Sequence, residues 1–424
     1  MSSPVREGAR RLLLLIPTTT YRTEAFMEAA SGLGVEVVAA SERPNVLQEA
    51  FPDTLLTLDF QKPDLAAQEV VEFARSRPLD AVVPVDDLTT VVGAAIAHAL
   101  RLPSNSVESA SAARNKHVMR TLLGRAGVPE PRFQLFSVDD DPTKVAGQVP
   151  YPCVVKPTVL SASRGVIRAD DPAGFVAAFR RLEAILRSPE VSALGGETRQ
   201  VLVESFIPGE EVALEGLLVN GELRVLALFD KPDPLDGPFF EETIYVTPSR
   251  LPGETQAGIA DCTARAAHAL GLRHGPVHAE LRVNENGPWI IEIAARSIGG
   301  LCSRTLRFGT GMSLEELILR HALGMEIPTL ERERRPAGVM MIPIPRAGVL
   351  EEVRGRDDAL QVPGIEEIAI TAHLGQELVP LPEGWQYLGF IFARAGSPED
   401  VETALREAHR RLEFVIRDPR ASAR

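Results

Sequence analysis

The first hundred residues alternate short apolar runs with stretches of helical periodicity, and this alternation constrains the fold more than any other feature of the chain. Apolar runs at 12–16, 35–39, 54–58 and 81–85 are interleaved with helical stretches near 24–33 and 65–76, and a last one covers 88–100. Strands that alternate with helices build a parallel sheet covered on both faces. Such a sheet binds ligands just beyond the carboxyl ends of its strands, which here are residues 17–22 and the pair Asp86 and Asp87.

The rest of the chain is mixed. A helix is expected over 112–126, closed by Gly127, Pro129 and Pro131. Strands are expected at 132–136, 153–156 and 166–168, a long helix at 175–186, a surface loop at 188–198, and strands at 200–204, 212–219 and 223–229. The last two are joined by Asn220-Gly221, a strong hairpin signal. The Pro- and Gly-rich stretch 231–238 reads as a mobile connection. A helix at 256–270 precedes strands at 277–283 and 289–293, linked by an Asn-Glu-Asn-Gly turn, and a helix at 314–323 follows. The charged run 331–335 marks a boundary. Strands near 339–344 and 387–393 and a closing helix at 398–412 then form a small α+β cap. At 424 residues about three units are expected, over 1–111, 112–330 and 331–424.

Composition excludes several classes of function. The net charge of -13 is spread along the chain and disfavours nucleic acid or an anionic membrane as a partner. Arg10 and Arg11 before the 12–16 run faintly resemble a signal peptide, but the run is too short and no cleavage site follows, so it reads as a buried strand. No apolar run is long enough to span a bilayer. Cys153, Cys262 and Cys302 show no C-x-x-C spacing, which points away from a disulfide framework or a thiolate zinc site and towards a reducing, cytoplasmic setting. Of 45 basic residues only Lys62, Lys116, Lys144, Lys156 and Lys231 are lysine, so each lysine is a candidate for a specific post.

No lysine follows glycine as a Walker loop requires, and the glycines at 32–34 do not complete a dinucleotide fingerprint. Three other constellations could carry chemistry. Lys156 ends the strand PCVVKP and is followed by the loop SASRGV at 161–166, in which small residues and a glycine let backbone N–H groups close over phosphates; a plain solvated loop fits equally well. The segment VESFIPGEE at 203–211 offers an exposed backbone stretch able to pair with a purine edge and acids placed to bond a ribose, or simply two strands joined by a turn. In HAELRVNENGPWIIEIAARSIGG at 278–300, Glu280 and Glu292 lie on neighbouring strands of one hairpin. Two such carboxylates repel unless a proton or a cation intervenes, and hard oxygen ligands suit Mg²⁺ bound with nucleotide phosphates. The alternative is a pair of buried acids satisfied by Arg282 or Arg296.

In order and spacing these elements, with Lys116 on a helix ahead of them, resemble the ATP-grasp superfamily over residues 112–325. The resemblance implies that Lys116 and Lys156 hold ATP phosphates together with the loop carrying Ser161, Ser163, Arg164 and Gly165. It implies that Glu204, Ser205, Phe206 and Ile207 form the purine hinge, that Glu211 meets the ribose, that Glu280 and Glu292 bind Mg²⁺, with Mn²⁺ as a substitute, and that Arg296 stabilises the oxyanion and departing phosphate. The fold it implies is an ATP-grasp fold, α/β and α+β, behind an N-terminal Rossmann-like parallel-sheet domain and ahead of a C-terminal α+β subdomain. Where most members have asparagine two residues after the second acid, this chain has Ala294. The E-x-A-A-R stretch followed by glycine is similar to the L-amino-acid ligase branch. That similarity implies an ATP-dependent carboxylate-amine ligase acting through an acyl phosphate on small-molecule carboxylate and amine substrates, and admits a homodimer.

For the substrate, Asp87 is a candidate to receive an ammonium group, His278 to orient the acid, and Gly300 to leave side-chain volume free beside Arg296. The competing readings are a helix cap for Asp86 or Asp87 and a hydrogen-bonded structural histidine. Tyr21 and Arg22 stand at another strand end, and Cys302 reads as a small packing residue. Two rival functions remain open. One is a ligase of the phosphoribosylamine type with a different acid or amine. The other is a nucleotide-binding regulatory protein that has lost turnover, for which Ala294 is the best argument.

Overall fold

The computed structural model describes residues 9–44, 48 and 50–418. Its first sheet is parallel, in the order Leu55–Thr57, Glu36–Ser41, Arg11–Leu15, Ala81–Pro84. The leucines of the central strand show why it is parallel. Leu12 and Leu14 enter one hydrophobic core, Leu13 and Leu15 the core on the opposite face, and all four are fully buried. A strand apolar on both faces needs helices on both sides.

A second sheet is antiparallel, in the order Phe133–Ser137, Gln200–Ser205, Cys153–Pro157, Ile167–Ala169. Helix Pro172–Leu186 covers it, burying Phe175, Phe179 and Leu182. The third sheet has eight antiparallel strands, from the hairpin Gly275–Asn284 and Gly287–Ala294 at one edge through Glu210–Val219, Glu222–Lys231, Ile244–Thr247, Ala337–Ile342 and Gly389–Arg394 to Ile365–Ile370. Asn220 and Gly221 turn the central hairpin with φ of 54° and 90°, as a two-residue turn matching strand twist requires. A small sheet of Glu377–Leu378, Gly348–Arg354 and Glu413–Arg417 completes the C-terminal part.

Three differences from the sequence reading bear on function. The helix expected over 112–126 is two helices, Val107–Arg114 and Lys116–Arg125, broken at Asn115. The Asn115 side chain accepts the N–H groups of His117 and Val118 and so caps the second helix, and it donates to Glu197. Strands of the C-terminal part hydrogen-bond directly into the large sheet, Ala337–Ile342 lying beside Ile244–Thr247. The loop expected at 188–198 contains the helical turn Pro189–Ser192, which buries Val191.

Candidate active site

A cavity of about 270 Å³ lies where the two antiparallel sheets face each other and the parallel sheet ends. Its floor is the edge hairpin. On Gly275–Asn284 the side chains alternate, so His278, Glu280 and Arg282 face the cavity while Ala279 and Leu281 are buried in the core behind. Glu292 pairs directly opposite Glu280, and a bulge beyond that pair lets both Ile291 and Glu292 reach the lining.

The break at Asn115 sets Lys116 in the first turn of its helix, buried, with its ammonium on the Leu160 carbonyl at 2.8 Å and on Glu292 at 3.2 Å. Lys156 ends its strand equally buried and donates to Glu204 at 2.6 Å. Burial pushes the Lys156 ammonium down to about 8 despite Glu204. Glu204 also accepts from the fully buried Arg120, at 2.8 and 3.4 Å, and burial is outweighed there by the two cations, which hold its carboxyl below the usual range. Ser205, Phe206 and Ile207 follow in the cavity wall.

The phosphate-loop candidates divide. Leu160, Ser161, Ala162, Ser163 and Val166 line the cavity, with Ala162 and Ser163 in the left-handed region at φ 53° and 54°. Arg164 and Gly165 do not line it, contrary to expectation. Arg164 turns outward to Glu190 and the Glu383 carbonyl, and Gly165 packs against helix Pro172–Leu186, where a Cβ would come within 2.8 Å of Leu182.

Asp87 is already engaged: Arg296 donates to its Oδ2 from Nε at 3.1 Å and from Nη2 at 2.9 Å. Asp86 opens the following helix in a capping box with Thr89, the role weighed against substrate binding. His278 donates or accepts at Glu215 through Nδ1 (3.2 Å) and lies 3.6 Å from Glu280 through Nε2; burial opposes its protonation, but the two carboxylates raise it. Gly300 sits at φ 58°, and a Cβ there would meet the Phe390 ring at 3.0 Å, so a side chain at this position would strain the turn rather than fill the cavity. Its neighbour Gly299 has nothing within 4 Å of that direction. Arg22 is buried on Glu315 and Ser297, a structural post, and Tyr21 lines the cavity against Phe390. Burial pushes the Cys302 thiol far up, which suits a packing residue.

Lys231 has no assigned role in the sequence, and Glu242 and Tyr245 carry no signal there. Lys231 is fastened, not mobile: its buried ammonium bonds Glu211 at 2.9 Å and Glu242, and lies 3.5 Å from Glu280. Burial would depress it, but the three carboxylates raise it well above an ordinary lysine. Tyr245 donates to Glu242 at 2.7 Å, and oxygens of Glu211, Glu242 and Glu280 lie within 4.8 Å of one another. The following loop is pinned by Arg282, which also bonds Glu211, to Leu235 and Asp236, and by Arg168 to the Asp236 and Pro238 carbonyls. The scarcity of lysine was the available signal for Lys231.

Among the described residues seven carboxylates line the cavity (Asp86, Asp87, Glu204, Glu211, Glu242, Glu280, Glu292) against Lys116, Lys156, Arg282 and Arg296, with Lys231 beneath them. This negative excess, with Glu280 and Glu292 facing each other, fits a divalent cation arriving with an anionic nucleotide. Apolar and aromatic side chains, Tyr21, Met341, Trp385 and Tyr387, also line the cavity.

Two antiparallel sheets closing on lysines, a hinge strand and paired acids define an ATP-grasp ligase fold, and the chain belongs to the ATP-grasp superfamily. Within it, the chain is a relative of the amino acid ligases. Three family models match in succession: the ATP-grasp N-terminal domain over 27–104, the ATP-grasp domain over 149–305 and the L-amino acid ligase C-terminal domain 2 over 340–417. The crystal structure of an L-amino acid ligase from Bacillus licheniformis superposes with a TM-score of 0.81 at 27% identity, covering 96% of this chain and 99% of that one. Alanine–anticapsin ligase of Bacillus subtilis is 26% identical over 62% of this chain and 58% of its own length. Dapdiamide A synthase of Enterobacter agglomerans is 33% identical over 46% of this chain and 45% of its own length. The chain thus spans about half the length of these two relatives. No helix among the described residues is long and apolar enough to cross a membrane.

Proposed function

We propose that this protein activates the carboxylate of an amino acid or similar small zwitterion as an acyl phosphate and joins it to an amine such as a second amino acid. The observation that carries this reading is the convergence of Lys116, Lys156, Glu280, Glu292 and Arg296 on one cavity that aromatic side chains also line. The named activities of the similar ligases support it.

In this reading Lys116, Lys156 and the loop of Ser161 and Ser163 hold the ATP phosphates, Lys231 sits beneath them, and the hinge at 204–207 receives the base. Glu280 and Glu292 would hold Mg²⁺, which supplies neutralisation of phosphate charge when bound. The γ-phosphoryl group passes to a carboxylate oxygen with release of ADP. The amine then attacks the acyl carbon, inorganic phosphate leaves, and the amine gives up a proton. Arg296 stabilises the oxyanion and the departing phosphate, and positioning with charge stabilisation supplies most of the rate. The 157–166 loop, clipped to the C-terminal part by the Gly165 N–H on the Pro382 carbonyl, excludes water that would hydrolyse the intermediate. With Cys153, Cys262 and Cys302 all unpaired, we place the reaction in the cytoplasm.

Phosphate release and mass spectrometry across all pairs of amino acids test the proposal. An amide product dependent on ATP and both substrates is expected. Turnover of a phosphorylated sugar amine instead would move the protein to the rival ligase class, and nucleotide binding without any turnover would favour the regulatory reading.

A further inference from the structure

Arg296 and its neighbour Ser297 are each held from the N-terminal region. Asp87 takes two of its N–H groups on a single oxygen, across 209 residues of chain, and Arg22 donates to the Ser297 hydroxyl at 2.6 Å while itself anchored on Glu315 at 2.9 Å. The third bond of the guanidinium, from Nη1, goes to the Ser297 carbonyl at 3.0 Å. A guanidinium has five N–H groups, so these contacts spend three and leave two. The Asp87 carboxylate is not needed at the start of its helix, because Asp86 and Thr89 already close that end in a reciprocal capping box. Both side chains of the pair border the cavity yet are largely covered, 22% exposed for Asp87 and 12% for Arg296.

We infer that Asp87 is a positioning residue, which from the end of the parallel sheet fixes the Arg296 guanidinium so that its two unspent N–H groups serve the reacting carboxylate. The inference deepens the ligase reading proposed above and rests on it for the role of Arg296. It stands against the role expected for Asp87 as receptor of a substrate ammonium group, since the guanidinium, a cation that cannot be deprotonated, already takes one of the two carboxylate oxygens and supplies the counter-charge. The N-terminal region thereby becomes a part of the reacting centre, not only a wall beside it.

The experiment is Asp87→Asn, which keeps the shape and removes the charge. Acyl phosphate formation is trapped with hydroxylamine as hydroxamate across the amino acids and their deaminated analogues, and binding of AMP-PNP with Mg²⁺ is measured by calorimetry. Positioning predicts a fall in kcat of about 100-fold, as for a displaced catalytic group, for acids with and without an α-amine, with KM and AMP-PNP affinity near wild type. A raised KM confined to acids bearing an α-amine would show instead that Asp87 binds that amine and would overturn the inference. Parallel loss of AMP-PNP affinity and thermal stability would reduce Asp87 to a structural role and overturn it too. A second readout does not depend on turnover. In ¹⁵N-arginine-labelled protein, the Nε–H resonance assigned to Arg296 with Arg296→Lys should be protected from solvent exchange in the wild type and lose that protection in Asp87→Asn. Should wild-type protein yield no hydroxamate with any acid, the ligase reading fails by itself; unchanged protection in the variant sinks the positioning by Asp87 whatever the activity.

Discussion

The two ends of the cavity differ in how their buried charges are balanced. At the hinge end Lys156 and Arg120 face Glu204 and Glu130, two cations against two acids, and Lys156 and Arg120 both reach Glu204 within 2.8 Å. At the acidic end Glu211, Glu242 and Glu280 converge on the one ammonium of Lys231, Arg282 reaches Glu211 but neither of the other two, and Glu292 has Lys116. A balanced, buried set needs no further charge and suits a neutral ligand such as a purine. An unbalanced one is completed by a proton or by a cation. The same residue change should therefore do opposite things at the two ends.

Loss of a carboxylate at the acidic end should show first in turnover. Glu292→Gln is expected to remove ligase activity by several kcal/mol of lost transition-state stabilisation while leaving the fold intact. Wild-type rates in both Glu292→Gln and Glu280→Gln would end the metal assignment. At the hinge end the damage should fall on the fold instead. Glu204→Gln leaves Arg120 and Lys156 without their shared counter-charge, and denaturant unfolding should register a loss of about 3 kcal/mol. The matching change at the acidic end, Glu242→Gln, should shift the stability of the nucleotide-free protein by no more than about 1 kcal/mol, because burial and the Glu280 charge already disfavour ionised Glu242. Equal losses in the two variants would erase the distinction. On binding rather than stability, Lys156→Ala should weaken AMP-PNP affinity by on the order of 2 kcal/mol in calorimetry, the worth of one charge-assisted bond; unchanged affinity would remove Lys156 from the nucleotide site.

The difference between the ends also marks where the sequence could be read. The parallel sheet was legible because Leu12 to Leu15 are apolar without interruption, and the acid pair because Glu280 and Glu292 are flanked by apolar residues on both strands of one hairpin. Lys231, Glu242 and Tyr245 were not legible as a group. Each stands alone around a Pro- and Gly-rich stretch whose order comes from Arg168 and Arg282, which lie distant in sequence. The strands Gly348–Arg354, Ile365–Ile370 and Glu413–Arg417 escaped for another reason: they are half-exposed and carry charges that blur the period of two. Asp87 was placed correctly at a strand end, but its partner is chosen by the meeting of two regions of the chain, and no local pattern encodes that.

The balance at the hinge end has one flaw, and it can be measured. Glu130 stands 3.8 Å from Arg120, too far for a hydrogen bond, and its buried Oε2 has no partner among the described residues. Burial pushes its carboxyl up to about 7, Arg120 opposing and Glu204 adding to the rise. A carboxyl whose folded pKa exceeds its unfolded value of 4.5 binds more protons in the folded state between those two limits, so ionising it costs stability as pH rises through that window. Stability of the nucleotide-free protein should accordingly decline from pH 5 towards pH 7 and level off above it as far as Glu130 contributes. Glu130→Gln cannot ionise, and it should flatten that part of the profile, closing on the wild type at pH 5 and exceeding it at pH 8. Denaturant midpoints at the two pH values decide the matter. A variant that tracks the wild type in parallel at both would mean that Glu130 is solvated or paired after all, and that the hinge end is balanced without a flaw.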